Sequence, residues 1–159
     1  MPDITADGKI RVAWVTSIAN IAAPTAGELN AGILLHSTMT ADGLAGFRPE
    51  TAAVSTSALD TTFDTNVNGR TSFSGTMLRF KKQTGTDTIY DTLVKDTAGF
   101  IVVRQSITAA TAWATAQKVR VYPALCGEVA HIDVEPNSLE RYEVPIQISA
   151  APNLRAAVA

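Results

Sequence analysis

Apolar and polar residues alternate along much of this chain, which is the pattern of strands with one buried face. In the first such stretch, residues 9–18, the side chains of Ile10, Val12 and Trp14 share one face. The longest stretch, residues 71–82, ends in two lysines that favour a solvent-exposed end. The predicted strands are residues 9–18, 33–40, 51–57, 71–82, 100–105, 118–125, 128–134 and 141–149. The pattern therefore predicts a mainly β chain.

Two short helices are predicted between the strands. Thr25 and Glu28 have the spacing of a capping box, in which each side chain accepts a hydrogen bond from the backbone amide of the other residue. This helix is expected to end near Gly32. Asp87 is placed to cap a second helix over residues 87–94, whose apolar residues recur at i and i+4.

The segments between these elements are rich in turn-forming residues. Residues 41–43 (Ala-Asp-Gly) predict the turn that ends the second strand, and residues 126–127 (Cys-Gly) predict a turn between two later strands. Residues 42–70 read as a long loop interrupted by one strand, and loops of this length usually have a function. Residues 107–118 fit either helix or loop. Nothing anchors residues 150–159, so we expect a flexible C-terminal tail on a single domain spanning residues 1–159.

The composition indicates a chain whose surface is covered by partners. Only 18% of the 159 residues are charged although 46% are hydrophobic, whereas an ordinary domain has about 25% charged residues. The net charge of -2 argues against a nucleic-acid binder that neutralises many phosphates. Cys126 is the only cysteine, so no intrachain disulfide forms. With no signal sequence and no apolar run of spanning length, we expect a soluble protein made in the cytoplasm, with no membrane partner.

No motif in the chain carries convincing chemistry. Residues 64–69 reproduce the opening of a calcium-binding loop, but Gly75 stands where the bidentate glutamate belongs, so we interpret them as a plain Asn-Gly turn. His131, Asp133 and Glu135 share one face of a predicted strand and are interpreted as a polar outer face. Nucleophile, phosphate-loop and catalytic-cysteine signatures are absent, so we expect no enzymatic activity, no catalytic or metal-binding residues and no cofactor.

The order of several segments along the chain resembles the major tail tube proteins of long-tailed bacteriophages, in particular those that infect actinobacteria. The first are residues 23–32 (APTAGELNAG), Leu35 and residues 40–43 (TADG). The others are residues 92–93 (TL), 99–104 (GFIVVR), 113–114 (WA) and 119–123 (VRVYP). The resemblance runs from about Ile10 to about Ile148; it departs at Ala116-Gln117, where the family pattern has Gly-Asp.

This resemblance implies a β-sandwich or small barrel with one or two short helices and a long loop. It also implies a structural protein of the virion tail, assembled in the host cytoplasm as hexameric rings that stack into a hollow tube. Phage DNA would pass through the lumen without specific binding, and tape measure and tail terminator proteins would be partners. Unpaired strand edges and a slightly acidic wall are compatible with such a conduit.

The long loop is the expected contact between successive rings. Its candidate residues are Asp60, Phe63, Asp64, Asn66 and Asn68. The acidic residues that could line the lumen are Asp60, Asp64, Asp87, Asp91, Asp96, Glu128, Asp133 and Glu135, and the sequence does not choose among them. Three alternatives remain open at this point: a connector or capsid decoration protein, the tube of a contractile injection machine, and a β-sandwich module that binds carbohydrate or calcium.

Overall fold

In a computed structural model, which describes residues 1–159, the chain folds as eleven strands and two short helices. The strands are β1 (Arg11–Val15), β2 (Ile33–Leu34), β3 (Met39–Ala45), β4 (Glu50–Ser55), β5 (Asn66–Ser72), β6 (Met77–Lys81), β7 (Ala98–Arg104), β8 (Lys118–Cys126), β9 (Ala130–His131), β10 (Arg141–Ile148) and β11 (Asn153–Ala157). The helices are α1 (Ala26–Asn30) and α2 (Thr88–Thr92). The mainly β fold predicted from the alternation is confirmed.

Nine of the strands form one antiparallel sheet that curls into a half-barrel. Its order is β2-β1-β7-β8-β10-β6-β3, with β11 paired to β8 and β9 paired to β10. The curl is carried by β10, since residues 141–145 pair with β6 and residues 146–148 pair with the end of β8. The long strand β8 therefore has β7 along one edge and shares the other edge between β10 and β11.

Two hydrophobic clusters lie on opposite faces of β1, β7 and β8. The larger cluster fills the inside of the curl and contains Trp14, Phe80, Tyr122 and Tyr142. The smaller one lies on the outer face, where Val15 and its neighbours pack under α1 and the C-terminal residues. Because both faces of β1 are covered, all five of its residues are buried.

Both predicted helix caps are confirmed. The Glu28 amide donates to Thr25 Oγ1 at 3.2 Å, and the Thr25 amide donates to Glu28 Oε2 at 2.8 Å, which completes the capping box. The hydrogen bonds that the backbone amides of Thr25 and Ala19 donate to the Glu28 carboxylate lower its pKa. At α2, the Tyr90 amide donates to Asp87 Oδ1 at 3.1 Å.

Two of the predicted strands are each divided into two strands in the structure. Residues 33–40 split into β2 and the start of β3, and the predicted turn at residues 41–43 lies inside β3. The register of β3 against β6 shifts there, and Gly43 is required because a Cβ would lie 2.6 Å from the carbonyl oxygen of Arg79. Residues 71–82 likewise split into β5 and β6, with Gly75 at a φ of +63° between them.

The predicted strand 128–134 shrinks to the two residues of β9, which pairs with β10 and not with β8. The expected turn at residues 126–127 therefore does not join a hairpin. Cys126 is the last residue of β8, and the Gly127 amide donates to the Pro145 carbonyl at 2.7 Å. This hydrogen bond continues the antiparallel pairing along β10, which Cys126 makes with Ile146 and Ala130 resumes with Glu143.

The C-terminal residues form β11 instead of the expected flexible tail. Asn153 lies opposite Val121 and Ala156 opposite Val119, with a bulge between the two pairs. Ala156 and Val158 are buried in the smaller hydrophobic cluster. The alanines of this segment are too small to produce a clear strand pattern in the sequence, but their size fits a strand, β11, that packs closely beside β8.

Of residues 107–118, which fitted either helix or loop, Lys118 begins β8, and the rest, together with residues 105–106, form turns around one buried arginine. Arg104 is fully buried, and its guanidinium donates to the carbonyls of Thr108, Thr111 and Ala112 and to Gln117 Oε1 at 2.8–3.1 Å. The Trp113 ring lies about 5 Å from the guanidinium carbons of both Arg104 and Arg11, which are opposite each other on β7 and β1. Burial and the nearby Arg11 lower the pKa of Arg104. The segment is thus held by charge-assisted hydrogen bonds and not by regular structure.

Candidate assembly surfaces

The most exposed part of the molecule is a two-stranded arm formed by β4, β5 and their connection, residues 50–72. It forms its own sheet and shares no strand pairing with the main one. Every residue of the arm is exposed except Ser57 and Gly69, which are half-buried. An isolated two-stranded hairpin is marginally stable in water. The arm therefore has little support along its length beyond the pairing of its own two strands.

The root of the arm is anchored in the main core. Phe47 and Phe73, just outside its two ends, both contact the Tyr122 ring edge-on, with centroids 5.0 and 6.0 Å away. The Thr76 hydroxyl donates to the carbonyl of Gly46 at 2.9 Å, which ties the two connecting segments together. The base of the arm is fixed although its length is not packed against the body.

Threonine and serine hydroxyls hold the two strands of the arm in register. The Thr51 and Thr71 hydroxyls lie 3.2 Å apart, and those of Thr56 and Thr65 lie 2.7 Å apart. A bulge interrupts the register near Gly69, where a Cβ would lie 2.8 Å from the Val54 methyl. The hairpin is thus a defined structure and not the irregular loop expected from the sequence.

The structure divides the predicted inter-ring residues between the tip and one strand of the arm. Asp60, Phe63 and Asp64 lie in the tip, where Asp64 accepts a hydrogen bond from Ser57 Oγ at 3.2 Å. Asn66 and Asn68 lie in β5, opposite Ser55 and Ala53. Since residues 66–69 are extended, the expected Asn-Gly turn is wrong, and this stretch does not curl as a calcium-binding loop does.

The sequence prediction named Phe63 but missed the other large apolar side chains of the arm. Leu59 is fully exposed and Phe63 is 76% exposed at the tip, and Val54 lies opposite Val67 on the paired strands. These residues are embedded among threonines, serines and aspartates, so the segment as a whole reads as polar. The signal available in the sequence was the presence of large apolar side chains in a predicted loop.

A second surface is basic. Lys118, Arg120 and Arg155 surround a groove of about 450 Å³ at the start of β8, whose floor includes Leu154. We call this the basic groove. None of its three cations forms an ion pair within the subunit. Burial raises the pKa of Tyr122, and the nearby Arg120 partly opposes that shift.

A third surface is acidic. The connection between β9 and β10, residues 132–140, is exposed almost throughout and carries Asp133, Glu135 and Glu140. We call it the acidic loop. A turn orders it, because the Ser138 amide donates to the Glu135 carbonyl at 3.3 Å. The carboxylates of this loop also lack ion pairs within the subunit.

Of the acidic residues considered for a lumen wall, Asp87 is buried beneath the start of α2. Burial alone would raise the pKa of Asp87, but hydrogen bonds from the Gln83 and Tyr90 amides and the nearby Lys82 ammonium lower it.

The structure brings no three His, Cys, Asp or Glu side chains together as metal ligands. Neither five-residue helix has the length to cross a bilayer.

Comparison with known proteins identifies the family. Curated protein sequences yield no match. Among solved structures, the fold is similar to a chain in a structure described as "Cryo-EM structure of the anti-feeding prophage (AFP) baseplate, 6-fold symmetrised". The TM-score is 0.60 at 8% identity, over 92% of this chain and 94% of the other, so the likeness is one of fold. The sequence profile of the family described as "Phage tail tube protein" matches residues 1–159. The chain therefore belongs to the phage tail tube protein family, whose members are structural components of the virion.

Proposed function

We propose that the protein is the repeating subunit of a tail tube, which assembles as hexameric rings that stack into a hollow conduit for phage DNA. The single observation that carries this proposal is the arm, residues 50–72, which is ordered yet exposed along its length and apolar at its tip. In a monomer the apolar side chains of Leu59 and Phe63 are exposed to water, which is unfavourable, whereas a neighbouring ring can bury them. The arm is the proposed contact between successive rings.

The arrangement of strand edges supports closure of a ring. Strand β3 pairs only with β6, so backbone groups along its outer edge are available to bond to a neighbouring subunit. The structural neighbour belongs to an assembly described as six-fold symmetrised, which supports a ring of six. A contact that repeats without closing along an axis then extends rings into a tube.

The protein acts in this proposal as a wall and not as a catalyst. A net charge of -2 does not hold DNA tightly at each step, so duplex DNA slides through without specific binding. Tape measure and tail terminator proteins are the proposed partners, and assembly takes place in the host cytoplasm. The resemblance to tail tube proteins of long-tailed phages that infect actinobacteria supports a long tail of that kind.

The first test is electron microscopy of the purified chain at increasing concentration. Hollow rings with six-fold symmetry, or open tubes built from them, are the expected result. A chain that remains monomeric at every concentration and salt condition would contradict the proposal.

The role of the arm is tested by shortening it. Replacing residues 57–64 with Asn-Gly joins Thr56 to Thr65, a pair already hydrogen-bonded at 2.8 Å, through a two-residue turn. This variant should fold and form rings but not tubes, because the tip that reaches the next ring is gone. The point variants Leu59→Ser and Phe63→Ser should weaken tube growth in the same direction.

Val94→Ser is the matched control for the point variants. Val94 is 49% exposed, but it lies at the end of α2 on the body of the subunit. Its loss should leave tube length unchanged. Tubes of normal length from the shortened arm would remove the arm from the contact between rings.

A further inference from the structure

We infer that the acidic loop of one copy of this chain docks in the basic groove of another copy. This contact rests on the proposed assembly function and gives that assembly a second interface, separate from the arm. The acidic loop and the basic groove are both accessible to solvent, carry opposite charges and form no ion pairs within the subunit.

The groove offers charge and apolar surface together. Lys118, Arg120 and Arg155 present three cations, with no acidic residue among the lining residues. Leu154, 38% exposed, is the exposed apolar residue among those that line it. A ligand for this groove carries carboxylates flanking an apolar group.

The acidic loop has that composition. Asp133, Glu135 and Glu140 supply three carboxylates, and Val134 and Leu139 are 79% and 66% exposed. Both apolar side chains are therefore largely exposed to solvent in the isolated subunit. Charge complementarity of this kind steers two copies together and fixes their register.

The two surfaces cannot meet within one subunit. Ile148 pairs with Ala124 and Ile146 with Cys126, so β10 continues past the end of β8 toward Arg141 and the acidic loop. Lys118 lies at the opposite end of β8. At a rise of about 3.3 Å per residue, the intervening strand path spans roughly 40 Å. The loop therefore reaches a groove only on another copy.

A contact between opposite ends of identical subunits is heterologous. Repeating it produces a closed ring or an open filament, depending on the rotation between copies. The groove shares Leu154 with a neighbouring depression lined by Pro49 and Phe73 at the root of the arm. The basic groove thus adjoins the root of the arm, and the acidic loop lies beyond the opposite end of β8.

Charge reversal tests this contact with exposed residues that the fold does not need. The groove variant is Lys118→Glu with Arg155→Glu, and the loop variant is Asp133→Lys with Glu135→Lys. Each alone places like charges across the contact, so the concentration required for assembly, measured by light scattering and sedimentation, should rise on the order of tenfold or more. Lys95→Glu, an exposed lysine outside both surfaces, is the charge-reversal control and should assemble as the wild type does.

Mixing the two variants is the decisive measurement. Each variant repels itself, but the native loop of one matches the native groove of the other, and the two reversed surfaces also match. An equimolar mixture should therefore assemble at close to the wild-type concentration. Combining both sets of substitutions in one chain should restore assembly in the same way.

The outcomes separate this inference from the proposed function. Wild-type rings or tubes, together with groove and loop variants that assemble equally well, would overturn the contact and leave the tube proposal standing. A wild-type chain that never assembles would overturn both. A third outcome is that the wild type binds a short DNA duplex at low salt and the groove variant does not, although the groove variant assembles normally. This outcome would assign the groove to nucleic acid and would also overturn the contact.

Discussion

Ala116 holds a backbone conformation that favours glycine. Its φ is +70°, in the left-handed region, which costs a residue with a Cβ about 1–2 kcal/mol. The position is fixed by the surrounding turn, because the Ala116 amide donates to the Val158 carbonyl at 2.8 Å. The resemblance to tail tube proteins had indicated Gly-Asp at Ala116-Gln117. The departure from the family pattern is therefore a point of local strain.

Ala116→Gly should stabilise the protein. Removing the Cβ relieves the strain, and the greater freedom of glycine in the unfolded chain offsets part of the gain, so a net increase of about 0.5–1 kcal/mol in the free energy of unfolding is expected. Urea denaturation measures it. Ala114→Gly in the same turn lacks the positive φ and should destabilise. A loss of stability in Ala116→Gly would contradict the strain argument.

The thiol of Cys126 makes stability depend on alkaline pH. Burial raises the pKa of this thiol from 9.0 to about 11. Between these values the unfolded chain releases the proton and the folded chain keeps it. The unfolded state is therefore favoured as pH rises, and the free energy of unfolding falls by up to about 3 kcal/mol from this group.

Comparison with Cys126→Ala isolates this contribution. At pH 7 the variant is less stable than the wild type, because removing the sulfur leaves a small cavity in the core. From pH 9 toward pH 11 the difference in the free energy of unfolding between the two proteins should narrow, because only the wild type loses stability through the thiol. Tyr122 and Tyr142 are present in both proteins, so their ionisation cancels in this comparison. Urea titrations at a series of pH values measure the gap. A constant gap across this range would argue that the thiol is not protected from ionisation.

At the scale of elements, β11 closes the smaller hydrophobic cluster. Truncation after residue 152 removes Ala156 and Val158 from that cluster and exposes Val119 and Val121 beneath them. It also removes the backbone bonds that Ala157 and Ala159 donate to Ala22 and Pro24. The free energy of unfolding should fall by about 3 kcal/mol or more.

The matched control is removal of residues 1–5 from the other terminus. All five are exposed and make no hydrogen bond in the structure, so their loss should change stability by less than about 0.5 kcal/mol. Chemical denaturation of both truncated chains compares them directly. Equal stability of the two truncated chains would mean that residues 153–159 contribute nothing to the fold, as a flexible tail would.

At the scale of the whole molecule, the arm should change its dynamics on assembly. In the isolated subunit its amides are protected only by pairing within a two-stranded hairpin, so they should exchange hydrogen with solvent fast. In tubes a neighbouring ring covers the arm, and exchange over residues 50–72 should slow. Hydrogen exchange with mass spectrometry compares the two states, and β7 in the core serves as the internal reference. Unchanged exchange in the arm would contradict its role between rings.

The sequence by itself determined the local features that depend on nearby residues. The capping box of Thr25 and Glu28, the Asp87 cap and the central strands β7, β8 and β10 were predicted because capping and strand alternation act over a few residues. The order of short segments along the chain was enough to indicate the family. None of these needed knowledge of what packs against what.

Only the tertiary structure decided the features that arise from contacts far apart in sequence. Arg104 holds residues 105–117 through carbonyls whose positions no local pattern specifies. Alanine-rich β11 is a strand because β8 and the smaller cluster receive it. Residues 42–70 are polar enough to read as a loop, yet cross-strand hydroxyl pairs and a bulge at Gly69 make most of them an arm. Apolar burial and strand pairing between distant segments are cooperative, and a sequence pattern read window by window does not contain them.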